Sequence, residues 1–189
     1  MPAPALRSKS SWGTLRSLAL LLLLQAPPAA AAALEGLVVA VSDGDTLTVL
    51  DDHRQLHKVR IAGIDAPERG QPFGRRAAAE LTSLAKNKRV IVNWNKLDRY
   101  QRIIGVVLVA PPDCTICKPD RDIGLALVGD GFAWHYRAYE RDQTAGDRQQ
   151  YRQAETDART HHAGLWADAT PTPPWDWRRA RKGDPVIRR

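Results

Sequence analysis

Two short runs hold the residue types that could do chemistry on a charged substrate. The first is Ser42-Asp43-Gly44-Asp45-Thr46, and the second is Arg60-Ile61-Ala62-Gly63-Ile64-Asp65-Ala66-Pro67-Glu68. Thr46 and Thr48 alternate with Leu47 and Val49, and Val59 and Ile61 alternate with Arg60 and Ala62, the period of half-buried strands. Asp45 then stands at the mouth of one strand, while Asp65 and Glu68 leave the end of the next. Three carboxylates and an arginine gathered at strand ends repel and dehydrate one another unless a cation or a phosphate lies between them. Asp45 and Asp65, with no accompanying His or Cys, form a hard oxygen donor set that suits Ca²⁺ or Mg²⁺ better than zinc.

Each fragment also has a plain reading: Asp-Gly-Asp as a hairpin turn, Arg60 on a wet strand face, Asp-Ala-Pro-Glu capping a following helix. Their joint order is more specific. Together with Asp98-Arg99-Tyr100-Gln101-Arg102 before an apolar strand, and Gly164-Leu165-Trp166, they resemble the staphylococcal-nuclease-like (thermonuclease) family of secreted bacterial type, from about residue 37 to about residue 166.

That resemblance implies an α+β, mainly β fold, an OB-fold-like five-stranded barrel with three helices. It implies a hydrolase, a phosphodiesterase or endonuclease acting on DNA or RNA with Ca²⁺ and leaving 3′-phosphate ends. Asp45, Asp65 and the main-chain carbonyl of Ala66 match the metal position, where Ala66 replaces a threonine at little cost because a backbone oxygen is used. Glu68 matches the base that accepts the proton of the attacking water, Arg60 and Arg102 match two phosphate-gripping arginines, and Asp43 matches an acid that supports the metal loop. Gln101 stands where the family usually has glycine, so the reach of Arg102 depends on whether that position needs a positive φ. Tyr100, beside the arginine hairpin, is a candidate substrate contact. The alternative is a non-catalytic OB-fold module that binds nucleic acid, since such barrels also serve that purpose.

The elements that must hold these residues are readable in outline. Residues 35–41 and 46–50 make a hairpin through the Asp-Gly turn, and 55–61 a third strand. Residues 75–86 are rich in Ala, Leu and Glu and follow Pro72, predicting a helix. Residues 88–94 form a fourth strand, and 103–109, nearly continuous in Ile, Val and Leu, a fifth that reads as buried on both faces. A short helix is expected over 122–128 and a long polar one over 143–162, closed by Gly164.

Composition sets the outer limits. The 189 residues, 43% hydrophobic, suffice for one domain with a real core. Residues 1–33 read as a signal peptide: Arg7, Lys9 and Arg16 precede an apolar run and a string of alanines, so the protein is expected to be exported to the periplasm or beyond, with residues 34–167 as the nuclease-like domain and 168–189 as a basic tail. Those three cations are part of the formal charge of +7, so not all of the basicity serves a polyanionic partner. No stable protein partner is inferred, a monomer is expected, and no membrane contact follows leader removal. Cys114 and Cys117 lie in a proline-flanked loop without further zinc ligands nearby, and an exported protein favours a disulfide between them. Trp134, Tyr136 and Tyr139 read as core before they read as a base-stacking platform. Residues 171–189, with two Trp and six Lys or Arg, could be a loosely docked tail that supplements nucleic-acid binding.

Overall fold

The computed structural model describes residues 32–111 and 116–183. Cys114 and the leader fall outside these, except that Ala32 and Ala33 open the first strand. The strands are β1 (Ala32–Val41), β2 (Thr46–Asp51), β3 (Leu56–Ile61), β4 (Ile64–Asp65), β5 (Arg89–Leu97), β6 (Ile103–Val109), β7 (Arg121–Asp122) and β8 (Trp134–His135). The helices are α1 (Gly74–Ala85), α2 (Ile123–Gly129), α3 (Ala145–Thr160) and α4 (Pro174–Arg181), with single 3₁₀ segments at Arg137–Asp142 and Gly164–Ala167.

Five long strands close on themselves. Their order is β3-β2-β1-β5-β6, and β3 then pairs in parallel with β6 through Val59 and Ile103, which completes a mixed barrel of the OB type. Alternation does the filling: Val38, Leu47, Val49, Val59, Ile61, Val90, Val92 and Val107 point inward at 0–1% exposure. Leu81 of α1 and Ile123 and Leu127 of α2 cap this core, and each fully buried side chain of that size stabilises by about 1.5–3 kcal/mol.

The β6 expectation needs correcting. Its residues alternate between buried and half-buried, so only one face lies in the barrel core. Ile104 and Val106 on the other face line a surface cleft instead, and an apolar cleft wall produces the same continuous run as a second buried face.

A smaller apolar cluster of Trp134, Ala158, Leu165 and Trp166 sits beside the barrel, and Trp175 of α4 packs against it. The indole of Trp175 lies 5.5 Å by ring centroid from the indole of Trp134 and 5.5 Å from the phenol ring of Tyr136. Gln71, 6% exposed, donates from Nε2 to the carbonyl of Thr172 just before the helix. The segment expected as a loose tail is therefore a helix anchored at its start, with Pro174 in the first turn and Arg178, Arg179 and Arg181 in the last turn, where cations suit the helix dipole.

Candidate active site

The turn between β1 and β2 and the exit from β3 meet at one mouth of the barrel. A Cβ on Gly44 would lie 2.7 Å from the Cβ atoms of both Ala66 and Ala77, so the absence of a side chain lets the Asp43–Asp45 turn press against the second acidic run. Gly74 is similarly confined: a Cβ there would stand 1.8 Å from the Glu68 carbonyl oxygen, so α1 begins hard against the residue that follows the acidic strand end. Gln71 adds two bonds, its backbone N–H donating to the Glu68 carbonyl at 2.8 Å and its Oε1 accepting from the Glu68 N–H at 3.2 Å.

Inside this frame Asp45 and Asp65 converge on one nitrogen. Arg60 Nη2 lies 3.2 Å from Asp45 Oδ2 and 3.0 Å from Asp65 Oδ1, while Nη1 donates to the Ile64 carbonyl. Asp65 is fully buried and Asp45 is 8% exposed. Asp45 Oδ2 also accepts from the Ala66 N–H at 3.3 Å, and Asp43 Oδ1 accepts from the Asp45 N–H at 3.1 Å, a bond within the turn. Burial pushes the Asp43 carboxyl up to about 6, and the neighbouring Asp45 charge adds to it. Burial likewise raises Asp65, and the hydrogen bond from Arg178 and the charge of Arg60 only partly offset this. Burial works against the Arg60 charge, but the Asp45 and Asp65 carboxylates together outweigh it and raise its pKa.

The donor set fits a hard divalent cation. The side chains gathered there are carboxylates and guanidinium groups with no His or Cys among them, and the cluster carries more acid than Arg60 alone balances. Among the described residues no three His, Cys, Asp or Glu side chains form a ready-made cage. Two carboxylates and the Ala66 carbonyl would leave the remaining positions to water and substrate, as an open site requires.

Arg102 stands apart from this cluster. It lines the same cleft, of about 1400 Å³, but its Nε and Nη2 are both 2.8 Å from Asp98 Oδ2. Gln101 does adopt φ of +60°, so the hairpin keeps the left-handed turn that glycine would favour, with a non-glycine residue in the strained region. Asp98 compensates by accepting from the N–H groups of Tyr100 and Arg102 at 2.8 and 3.0 Å. Tyr100 is 64% exposed at the cleft rim, its ring centroid 4.8 Å from the Arg99 guanidinium. Trp134 is core, as expected, with an edge on the cleft, and Tyr136 and Tyr139 line the same cleft without joining an apolar cluster.

The residue that sequence reasoning missed is Arg178. From the last turn of α4 it donates Nη2 to Asp65 Oδ2 at 2.6 Å, and Nη1 to both Asp65 Oδ1 at 3.2 Å and Glu68 Oε1 at 2.8 Å. Burial works against its charge, but the hydrogen bonds to Asp65 and Glu68 prevail and raise its pKa. The available signal was the spacing of Pro174, Trp175 and Arg178, a helix start with an apolar anchor and a cation one turn later on the same side.

A family model described as "Staphylococcal nuclease homologue" matches residues 58–168. The chain belongs to this family. It is 41% identical over 177 residues to a "Micrococcal nuclease" of Shigella flexneri, covering 92% of this chain and 97% of that protein. It is 39% identical over 171 residues to "Protein ParB" of Escherichia coli, covering 90% and 94%. An "Uncharacterized endonuclease" of Haemophilus influenzae is 39% identical over 145 residues, covering 77% and 73%. The family-model match begins within β3 and ends before α4, so it takes in Asp65, Glu68 and Arg102 but not Asp43, Asp45 or Arg178.

Proposed function

We propose that this protein is a Ca²⁺-dependent nuclease that hydrolyses phosphodiester bonds of DNA, RNA or both and leaves 3′-phosphate ends. Membership of a nuclease family carries the endonuclease part of this reading. The observation that supports the finer part is the convergence of Asp45 and Asp65 on one point, with Glu68 beside it and Arg60 across it.

Asp45, Asp65 and the Ala66 carbonyl would hold the cation. When bound, it neutralises charge on the phosphate and helps bring a water into line. Glu68, 38% exposed by side chain, can exchange protons with solvent and accepts the proton of that water as it attacks phosphorus. Arg60 is fixed by its carboxylate partners and offers its planar donors to a phosphate oxygen, stabilising charge that grows in the transition state. Arg102 performs the same task from the opposite wall once substrate draws it from Asp98, and Tyr100 gives an exposed ring for a base. Export and a Cys114–Cys117 disulfide belong to the same reading, because the leader pattern and the Pro-flanked loop suit an oxidising destination.

The test is digestion of single-stranded DNA and RNA by purified protein in millimolar-range Ca²⁺, with and without chelator, followed by end-group analysis. Cleavage that stops with chelator and leaves 3′-phosphates is expected. Chelator-insensitive binding with no product would mean the barrel is a binding module.

A further inference from the structure

Asp65 has two carboxylate oxygens, and both are taken by guanidinium groups. Oδ1 accepts from Arg60 and Arg178 at 3.0 and 3.2 Å, and Oδ2 accepts from Arg178 alone at 2.6 Å. The Arg60 contact comes from β3, five residues away in sequence, and its nitrogen is shared with Asp45. The Arg178 contact comes from a helix 113 residues away in sequence and takes both oxygens of Asp65, and both arginines line the cleft. A cation held by Asp65 and a guanidinium on the same oxygens exclude each other, through contact and through like charge at short range.

We propose that Arg178 is an internal counter-ion that competes with the divalent cation for Asp65, and that cation binding drives it off both Asp65 and Glu68. The inference rests on the metal-site reading above. Without the cation, Arg178 neutralises a buried acid that Arg60 alone leaves under-compensated, and it occupies the oxygen of Glu68 that would take up a proton. With the cation, both carboxylates are released for their tasks and Arg178 is left at the cleft edge, where Arg179 and Lys182 of the same helix end also lie.

The helix is built for such an exchange. Its first turn is fixed by Trp175 on Trp134 and by Gln71 on Thr172, whereas the Arg178 side chain is 38% exposed and has room to swing without undocking α4.

Arg178→Gln keeps a polar side chain at a partly exposed position and leaves the Trp175 anchor intact. Ca²⁺ is titrated by calorimetry into chelator-treated full chain, with no nucleic acid present, and the thermal midpoint is recorded with and without Ca²⁺. Competition predicts that Arg178→Gln binds Ca²⁺ about tenfold more tightly, the size of an ordinary coupling between sites. It also predicts a midpoint below wild type without Ca²⁺ and a smaller gap at saturation. Arg178→Lys, which keeps the charge but loses the fork, should fall between. Equal or weaker Ca²⁺ binding by Arg178→Gln, or a midpoint gap unchanged by Ca²⁺, would overturn the competition and leave the metal site standing. If neither wild type nor variant binds Ca²⁺, the metal reading and the competition fall together.

Discussion

Among the described residues, the buried acids at the barrel mouth and at Glu155 are built to opposite plans. At the barrel mouth Asp45, Asp65 and Glu68 share Arg60 and Arg178, and single nitrogens serve two carboxylates at once. On the buried face of α3, Glu155 is 2% exposed and stands as a single acid among its own donors: Oε1 accepts from the His135 backbone N–H at 3.1 Å, and Oε2 from Arg137 and Arg159 at 3.2 and 3.3 Å. The second centre has its charge compensated within the fold and ties β8 to α3. The first has surplus acid and borrowed cations. A buried charge that serves only stability is matched locally, whereas one that must receive a cation and a phosphate is left short.

Exchanging the acids should separate the two plans, beginning with the largest effect. Glu68→Gln removes the proposed proton acceptor and keeps the shape of the side chain, so turnover should fall by about 10²–10⁴ while nucleic-acid affinity and the unfolding midpoint stay close to wild type. Steady-state cleavage and a binding titration check this. Wild-type turnover in Glu68→Gln would remove the functional meaning of the surplus acid.

Glu155→Ala tests the other plan. It strands the His135 N–H in the interior and leaves two arginines facing each other, so it should cost about 3 kcal/mol in urea denaturation. Cleavage per folded molecule should remain near wild type. A large fall in turnover without a loss of stability would instead join Glu155 to the active centre.

How far these centres could be read in the sequence differs for a physical reason. The acidic mouth is assembled by strands long enough to carry a period, so Asp45, Arg60 and Asp65 could be placed at strand ends from alternation alone. β4 and β8 have only two residues each and carry no period, so the pairing of Asp65 with Trp134 was not visible. The left-handed turn at Gln101 was anticipated as a question and is answered by its φ of +60°. α4, at eight residues, is too short for a periodic apolar face, and its position is decided by the packing of Trp175 on Trp134 across the chain. Arg178 reaches Asp65 only through that packing, so local pattern could suggest the helix but not its destination.

A third carboxylate lies between the two plans and gives the smallest and most pH-sensitive effect. Asp122 caps α2, accepting at Oδ1 from the N–H groups of Gly124 and Leu125, and its Oδ2 accepts from the Tyr151 hydroxyl at 2.7 Å. These donors are neutral. Burial therefore raises the Asp122 pKa despite the Tyr151 bond, and burial, with the Asp122 charge, also pushes the Tyr151 hydroxyl well above its ordinary range. A carboxyl raised on folding contributes stability that is fully present below its unfolded pKa and is lost as pH rises through its folded value. Tyr151→Phe removes the donor that limits that loss, at a site 2% exposed where no water easily replaces it. The substitution should cost about 1.5 kcal/mol at pH 7 and less near pH 3, below the ordinary carboxylate range that folding raises, where the hydroxyl meets a carboxyl mostly protonated in both states. Urea unfolding of wild type and Tyr151→Phe at the two pH values measures the difference directly. A cost that stays constant across that range would mean that the Tyr151 bond serves both protonation states of Asp122 equally, and that burial does not set its pH response.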